Sequence, residues 1–225
     1  MGRFLRTAIG IILLPMVAAT ARAFYEQFAY IDINFTQGQI YFLWGIAAYC
    51  LFQLLLIKPM FIYILGHECV HVLATWLCFG RVTSFNVSSK GGSVSTSKSN
   101  FFIKMSPYFV PLYSILLTLV YYVVVKTFVW GFLAKPYFMF LFGATLAFHI
   151  VMTADAAKTK QPDFIRMGHL NALIFIFLVN LVLISAVLGL LFESFSVTSF
   201  LKKSYAASVS YYIFIYNWLA GQFSK

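Results

Sequence analysis

The sequence predicts an all-α, polytopic membrane protein of about six transmembrane helices, with a small β-hairpin after the third. Of its 225 residues, 62% are hydrophobic and only 10% are charged. A soluble domain carries roughly 25% charged residues because its surface faces water. Several apolar runs approach the roughly 20 residues that a helix needs to cross a bilayer. The composition therefore excludes a soluble globular domain, and the 20% content of aromatic residues excludes a disordered chain.

The net charge of the chain helps to predict which partners the protein binds. Sixteen Lys and Arg against six Asp and Glu give a net charge of +10. In a soluble protein, such an excess can indicate nucleic-acid binding. Here most basic residues fall between apolar runs, where they set membrane topology and contact anionic head groups. We therefore expect a lipid bilayer as a partner and no nucleic acid.

The N-terminal 23 residues have two interpretations. An apolar stretch at 8–19 follows Arg3 and Arg6, which fits either a cleaved signal peptide or a retained first helix. Since further apolar runs follow, cleavage is not needed to reach the membrane. We therefore expect residues 1–23 to stay as the first helix.

The next two helices are expected at 40–57 and 60–79. As one continuous helix, this stretch would be about 60 Å long, which is twice the hydrocarbon thickness of a bilayer. Lys58-Pro59 interrupts it, and proline cannot continue a helix without losing a hydrogen bond. The pattern predicts two antiparallel helices joined by a tight turn.

The character of the chain changes at residues 80–104, which are polar and rich in Ser and Thr. Apolar residues alternate on both sides of Gly91-Gly92, and this pattern predicts a β-hairpin with a glycine turn. We expect the whole chain, 1–225, to form a single transmembrane domain. The remaining apolar runs lie at 106–130, 136–157 and 168–192, and a tail at 196–225 forms either an interfacial segment or an extra helix.

One polar cluster lies inside an apolar run. His67, Glu68 and His71 form the pattern His-Glu-x-x-His in the expected helix at 60–79. Positions i and i+4 of a helix lie on one face, so the two imidazoles can converge on one metal ion while Glu68 reaches a nearby water. A chance match in this composition is on the order of one in a thousand. An ionisable residue at the centre of a membrane helix also costs ~2.5 to 3.5 kcal/mol, so packing alone does not account for three of them.

At this point the sequence resembles the site-2 protease family of intramembrane zinc metalloproteases. The segment Gly66–His71 is followed by Phe79–Val82 and by a glycine-containing β segment. Ser106–Tyr113 then opens a helix where the family often has a small residue and a proline, and Gln161–Asp163 is similar to the family's segment that supplies the third metal ligand. The resemblance extends over roughly residues 58 to 180.

The resemblance implies a multi-pass integral protein of the cell (inner) membrane. It implies hydrolysis of peptide bonds in a membrane-spanning or membrane-adjacent protein or peptide substrate. Zn²⁺ would be held by His67 and His71, and Glu68 would be the catalytic general base. Two alternatives from other classes stay open, namely a non-proteolytic metal-binding membrane protein and an ion transporter that uses the same cluster.

The third zinc ligand has several candidates among the few His and acidic residues. Asp163 follows Pro162, where irregular backbone can approach a buried metal, and it matches the family's carboxylate in order and context. His149 is the alternative third ligand, because its position inside the expected helix at 136–157 calls for an explanation. Asp155 and His169 rank below these two.

The hairpin is the expected substrate-binding element. Gly91, Gly92 and Val94 would lie near the zinc and present a strand edge, because peptides are often bound by adding a strand to such an edge. The alternative is a solvated connector.

Membrane orientation is also open: Arg3 and Arg6 favour a cytoplasmic N-terminus, whereas the resemblance and the basic residues near the hairpin favour a cytoplasmic hairpin.

Overall fold

The computed structural model describes residues 2–56, 58–159, 161–165 and 167–223. Over these residues the chain is mostly helical and contains one small antiparallel sheet, which confirms the predicted helical class with a hairpin. The helices are α1 (Arg3–Phe28), α2 (Gln37–Leu55), α3 (Met60–Leu77), α4 (Phe101–Met105), α5 (Leu112–Thr127), α6 (Lys135–Ala157), α7 (His169–Leu191) and α8 (Val197–Phe223). The strands are β1 (Val82–Ser88) and β2 (Gly91–Thr96), and they follow α3.

Five helices of the described chain are long and apolar enough to cross a membrane, namely α1, α2, α3, α6 and α7. A sixth span results if the segments Phe101–Tyr108 and Leu112–Thr127, bent by 74° at a short break, count as one. The prediction of about six spans agrees with this number. The run at 106–130 is not one straight helix, because Pro111 lies at the break. The C-terminal tail forms α8, which is not among the five.

The chain divides into two compact units. The terminal unit contains Met1–Asn34 and Phe164–Lys225, and the central unit contains Phe35–Asp163. In the terminal unit, α1, α7 and α8 pack around buried Phe192, Phe195 and Phe200. The central unit holds α2 to α6 and the hairpin, and with them the His-Glu-x-x-His segment.

Within the central unit, α2 packs closely on α6. A Cβ atom added at Gly45 would lie 1.9 Å from the carbonyl oxygen of Phe140, and one added at Gly143 would lie 2.1 Å from that of Phe42. Small residues let the two helix backbones approach in this way. A buried cluster then joins the pair to α3 and sets the face that α3 turns inward; it contains Tyr49, Tyr63, Ile64, Ala147, Phe148 and Met152.

The predicted break between the second and third helices is confirmed. The helix α2 ends at Leu55, and α3 begins at Met60, directly after Pro59. The end of α3 is also well defined. Phe79 adopts a positive φ of 56°, and the Gly80 N–H bonds the Thr75 carbonyl at 2.8 Å. This is a Schellman motif, which closes a helix and turns the chain away from it.

The hairpin is present, but the prediction of a glycine turn was wrong. The turn lies at Ser89-Lys90, and Gly91 pairs with Ser88 at the start of β2. The Ser88 hydroxyl stabilises the turn, because it accepts from the Lys90 N–H at 3.3 Å and donates to the Gly91 carbonyl at 2.9 Å. The two glycines are therefore strand residues. Glycine at position 92 is needed because the backbone there passes close to the Glu68 side chain.

Candidate metal centre

The two histidines of α3 lie on one face of the helix, as the i, i+4 spacing predicts. Their ring centroids are 4.9 Å apart, and each side chain is 11% exposed. Glu68, next to His67, is 7% exposed. The middle of α3 therefore carries two imidazoles and a carboxylate that are largely shielded from bulk solvent.

Asp163 reaches the same point from another part of the chain. It lies in the short 3-10 helix Pro162–Phe164, and its Oδ2 atom is 3.6 Å from His67 Nε2 and 3.5 Å from His71 Nε2. Burial alone would raise the pKa of Asp163, but its contacts with the two histidines outweigh burial and lower that pKa below its ordinary value. An ionised carboxylate is the form that binds a metal.

These three residues form a group that could hold a metal ion. Within the described chain, one ligand atom from each of His67, His71 and Asp163 lies within 4.8 Å of the others. Two ligand atoms about 2.1 Å from a tetrahedral zinc are about 3.4 Å apart. The observed separations of 3.5 and 3.6 Å between Asp163 Oδ2 and the two Nε2 atoms are close to this value. The donor set of two nitrogens and one oxygen is also one that zinc accepts.

The orientation of His71 is set by α4. Its Nδ1 atom lies 2.8 Å from the Ile103 carbonyl oxygen, which can only accept, so Nδ1 carries the proton and Nε2 is left for a metal. Ile103 is itself held by a helix cap, since its N–H donates to Asn100 Oδ1 at 2.8 Å. A short capped helix therefore fixes the tautomer of a candidate ligand.

Tyr108 orients the carboxylate. It follows Pro107 at the break before α5 and is fully buried. Its hydroxyl donates to Asp163 Oδ2 at 3.0 Å, and its ring lies edge-on to that of His67 with centroids 5.0 Å apart. Partners of this kind hold metal ligands in place and tune their basicity.

Strand β2 passes directly over Glu68. A Cβ atom added at Gly92 would lie 2.6 Å from Glu68 Cγ and 2.8 Å from Ile64 Cγ2, closer than side chains tolerate. Glycine is therefore required here by close approach. By contrast, a Cβ atom added at Gly91 would lie in open space, with no contact within 4 Å.

Two cavities open beside the cluster, and His67, Glu68, Gly92 and Gln161 line both. The hairpin cavity has a volume of about 360 Å³ and is also lined by His71, Ser93, Val94, Thr96, Ser99, Ile103, Lys104, Pro162 and Asp163. The lysine cavity has a volume of about 510 Å³ and is also lined by Lys58, Met60, Tyr63, Ile64, Lys90, Gly91, Met152, Asp155, Ala156, Lys158 and Thr159. A ligand can therefore approach Glu68 from two directions.

The other candidate ligands are not members of this group of described residues. His149 is buried in α6 and belongs to no group of three ligand atoms in the described chain. Asp155 bonds Lys58 and Lys158. His169 begins α7 in the terminal unit. Of the expected substrate-binding residues, Gly91 and Gly92 line the lysine cavity, and Gly92 and Val94 line the hairpin cavity.

Sequence reasoning missed three parts of this arrangement, which are Tyr108, the Ile103 carbonyl and the Asn100 cap. A tyrosine bracketed by Pro107 and Pro111 was a usable signal, since a break at membrane depth frees a side chain to turn inward. Asn100 preceding an apolar turn was a usable capping signal. No sequence pattern points to one particular backbone carbonyl.

No protein-family model matches this chain, and neither a curated protein nor a solved structure matches it.

Proposed function

We propose that this protein is an intramembrane zinc metalloprotease that hydrolyses peptide bonds of membrane-spanning or membrane-adjacent substrates. The observation that carries the proposal is the convergence of His67 Nε2, His71 Nε2 and an Asp163 oxygen beside the buried carboxylate of Glu68. A purely structural zinc site fills all four positions with protein ligands and needs no base. Three ligands with an adjacent carboxylate are the arrangement of a zinc hydrolase, in line with the resemblance to site-2 proteases.

The residues of the site have separate roles in the proposed hydrolysis. A zinc ion, when bound, would polarise the peptide carbonyl and lower the pKa of water. The Glu68 carboxylate accepts a proton from the attacking water and delivers it to the leaving amide nitrogen. His67, His71 and Asp163 act as ligands, and Tyr108 holds Asp163 in position.

The hairpin supports a peptide as the substrate. In the described chain the sheet has only two strands, so β2 has one edge without a strand partner. Gly92, Ser93 and Val94 of β2 line the cavity that contains Glu68 and the candidate ligands. An extended peptide that adds to this strand would place its backbone near Glu68, and hydrolysis needs an extended backbone.

The test measures zinc content and peptide cleavage together on the purified full chain in detergent. Glu68→Gln should keep stoichiometric zinc and lose about 10²- to 10⁴-fold in cleavage rate, because glutamine removes the proton acceptor but no metal ligand. His71→Ala, as the matched ligand variant, should lose both zinc and cleavage. Full activity in Glu68→Gln would refute the general-base role. A zinc-free protein that moves ions across liposomes would favour the transporter instead.

A further inference from the structure

Three lysines from separate segments of the chain line the lysine cavity. Lys58 precedes α3, Lys90 lies in the hairpin turn, and Lys158 follows α6. The acidic residues that line this cavity are Asp155 and Glu68. Glu68 belongs to the candidate catalytic group, so Asp155 is the one acid available to balance the lysines.

Asp155 does not neutralise them. Its two oxygens accept from Lys58 and from Lys158, the latter at 2.9 Å, so one carboxylate serves two ammonium groups. Lys90 is exposed and belongs to none of the ion pairs found among the described residues. The three lysines and Asp155 therefore leave about two uncompensated positive charges in the lining of this cavity. Membrane topology accounts for basic residues near helix ends, but it does not require three of them to line a cavity that reaches the candidate active site.

We propose that this cavity binds an acidic segment of the substrate, with Asp or Glu about three to five residues from the scissile bond. The proposal rests on the proposed proteolytic function. From Lys58 to Glu68 the chain rises about 15 Å, mostly along α3 at 1.5 Å per residue. An extended peptide covers about 3.3 Å per residue, so about four residues separate Glu68 from Lys58 and from Lys158, which bonds the same carboxylate as Lys58. Apolar Met60, Ile64 and Met152 line the path between.

Binding measurements test the proposal without depending on catalysis. Two fluorescent peptides of the same sequence are compared, one with Glu and one with Gln three to five residues from the intended scissile bond. They are titrated into zinc-loaded full-length Glu68→Gln protein in detergent. The acidic peptide should bind more tightly than its Gln counterpart. Adding Lys90→Gln or Lys158→Gln should each weaken binding of the acidic peptide about two- to fivefold, and leave the Gln peptide unchanged.

Arg81→Gln is the matched control. Arg81 is an exposed basic residue just before the same hairpin and lines neither cavity, so its loss should not change peptide binding. Equal affinity for the two peptides would overturn the proposal. So would a lysine effect confined to binding of vesicles that contain phosphatidylglycerol, because the lysines would then serve lipid head groups.

Cleavage by the wild-type protein separates this inference from the proposed function. If both peptides are cleaved at the same rate, the protease assignment stands and the acidic preference is wrong. If neither is cleaved but the acidic peptide binds selectively through Lys90 and Lys158, the protease assignment fails and the acidic ligand stands.

Discussion

Two helices of the central unit, α3 and α6, contain buried histidines, and the surroundings of these histidines differ. In α3, His67 and His71 meet the carboxylate of Asp163 at 3.6 and 3.5 Å. In α6, His149 is 7% exposed and lines a small cavity of about 20 Å³ that no carboxylate lines. A buried histidine in an apolar helix therefore does not by itself form a group of candidate ligands. In α3, a second segment of irregular backbone brings the third member of the group.

The largest effect is expected when each of the two candidates for the third ligand is substituted in turn. Asp163→Asn should lower zinc affinity more than about 100-fold, because outer-shell partners alone account for about 10- to 100-fold. His149→Ala should leave the zinc content per folded protein unchanged. Both are measured by metal analysis after dialysis against a weak chelator. Zinc loss only in the His149 variant would reverse the comparison and indicate a three-histidine site.

The approach of β2 to α3 can be tested with two neighbouring glycines. In Gly92→Ala, the new methyl group would meet Glu68 Cγ at 2.6 Å and displace the carboxylate. A displacement of about 1 Å can cost about 100-fold in rate, so cleavage should fall by about that factor while zinc stays bound. Gly91→Ala has open space and should cleave normally. If the two variants behave alike, β2 does not set the position of Glu68.

The hydroxyl of Tyr108 offers a smaller and more selective change. Tyr108→Phe removes the hydrogen bond to Asp163 Oδ2 but keeps the ring, and zinc affinity should fall about 10- to 100-fold. Tyr113→Phe is the control, because the Tyr113 hydroxyl donates to the backbone carbonyl of Ile62 and not to a ligand. An equal loss in both variants would point to general destabilisation instead of ligand positioning.

The smallest expected effect comes from the cap of α4. Asn100→Ala should cost about 1 kcal/mol of local helix stability and lower zinc affinity less than tenfold, through Ile103 and His71. Thr36→Ala removes the cap of α2, a helix that carries none of the candidate ligands, and should leave zinc affinity unchanged. Isothermal titration with zinc compares the two. A larger loss in the Thr36 variant would contradict the proposed route through α4.

Much of the fold could be predicted from local patterns. The apolar runs gave the helices, Lys58-Pro59 gave the break before α3, and the alternating polar segment gave the hairpin. The turn within the hairpin was misplaced, because a glycine pair suits both a tight turn and a close approach between backbone and side chain. Distinguishing these uses requires knowing that Glu68 lies under β2.

The sequence by itself determined the helices long and apolar enough to cross a membrane, and the pairing of His67 with His71 on one helix face. Both follow from local quantities, namely the apolar content of a run and the 3.6-residue turn of a helix. Only the tertiary structure decided that Asp163, Tyr108 and the Ile103 carbonyl meet these histidines. Their approach depends on how α3, the break before α5 and the turn after α6 pack together. Contacts between residues far apart in the chain leave no periodic trace in the sequence.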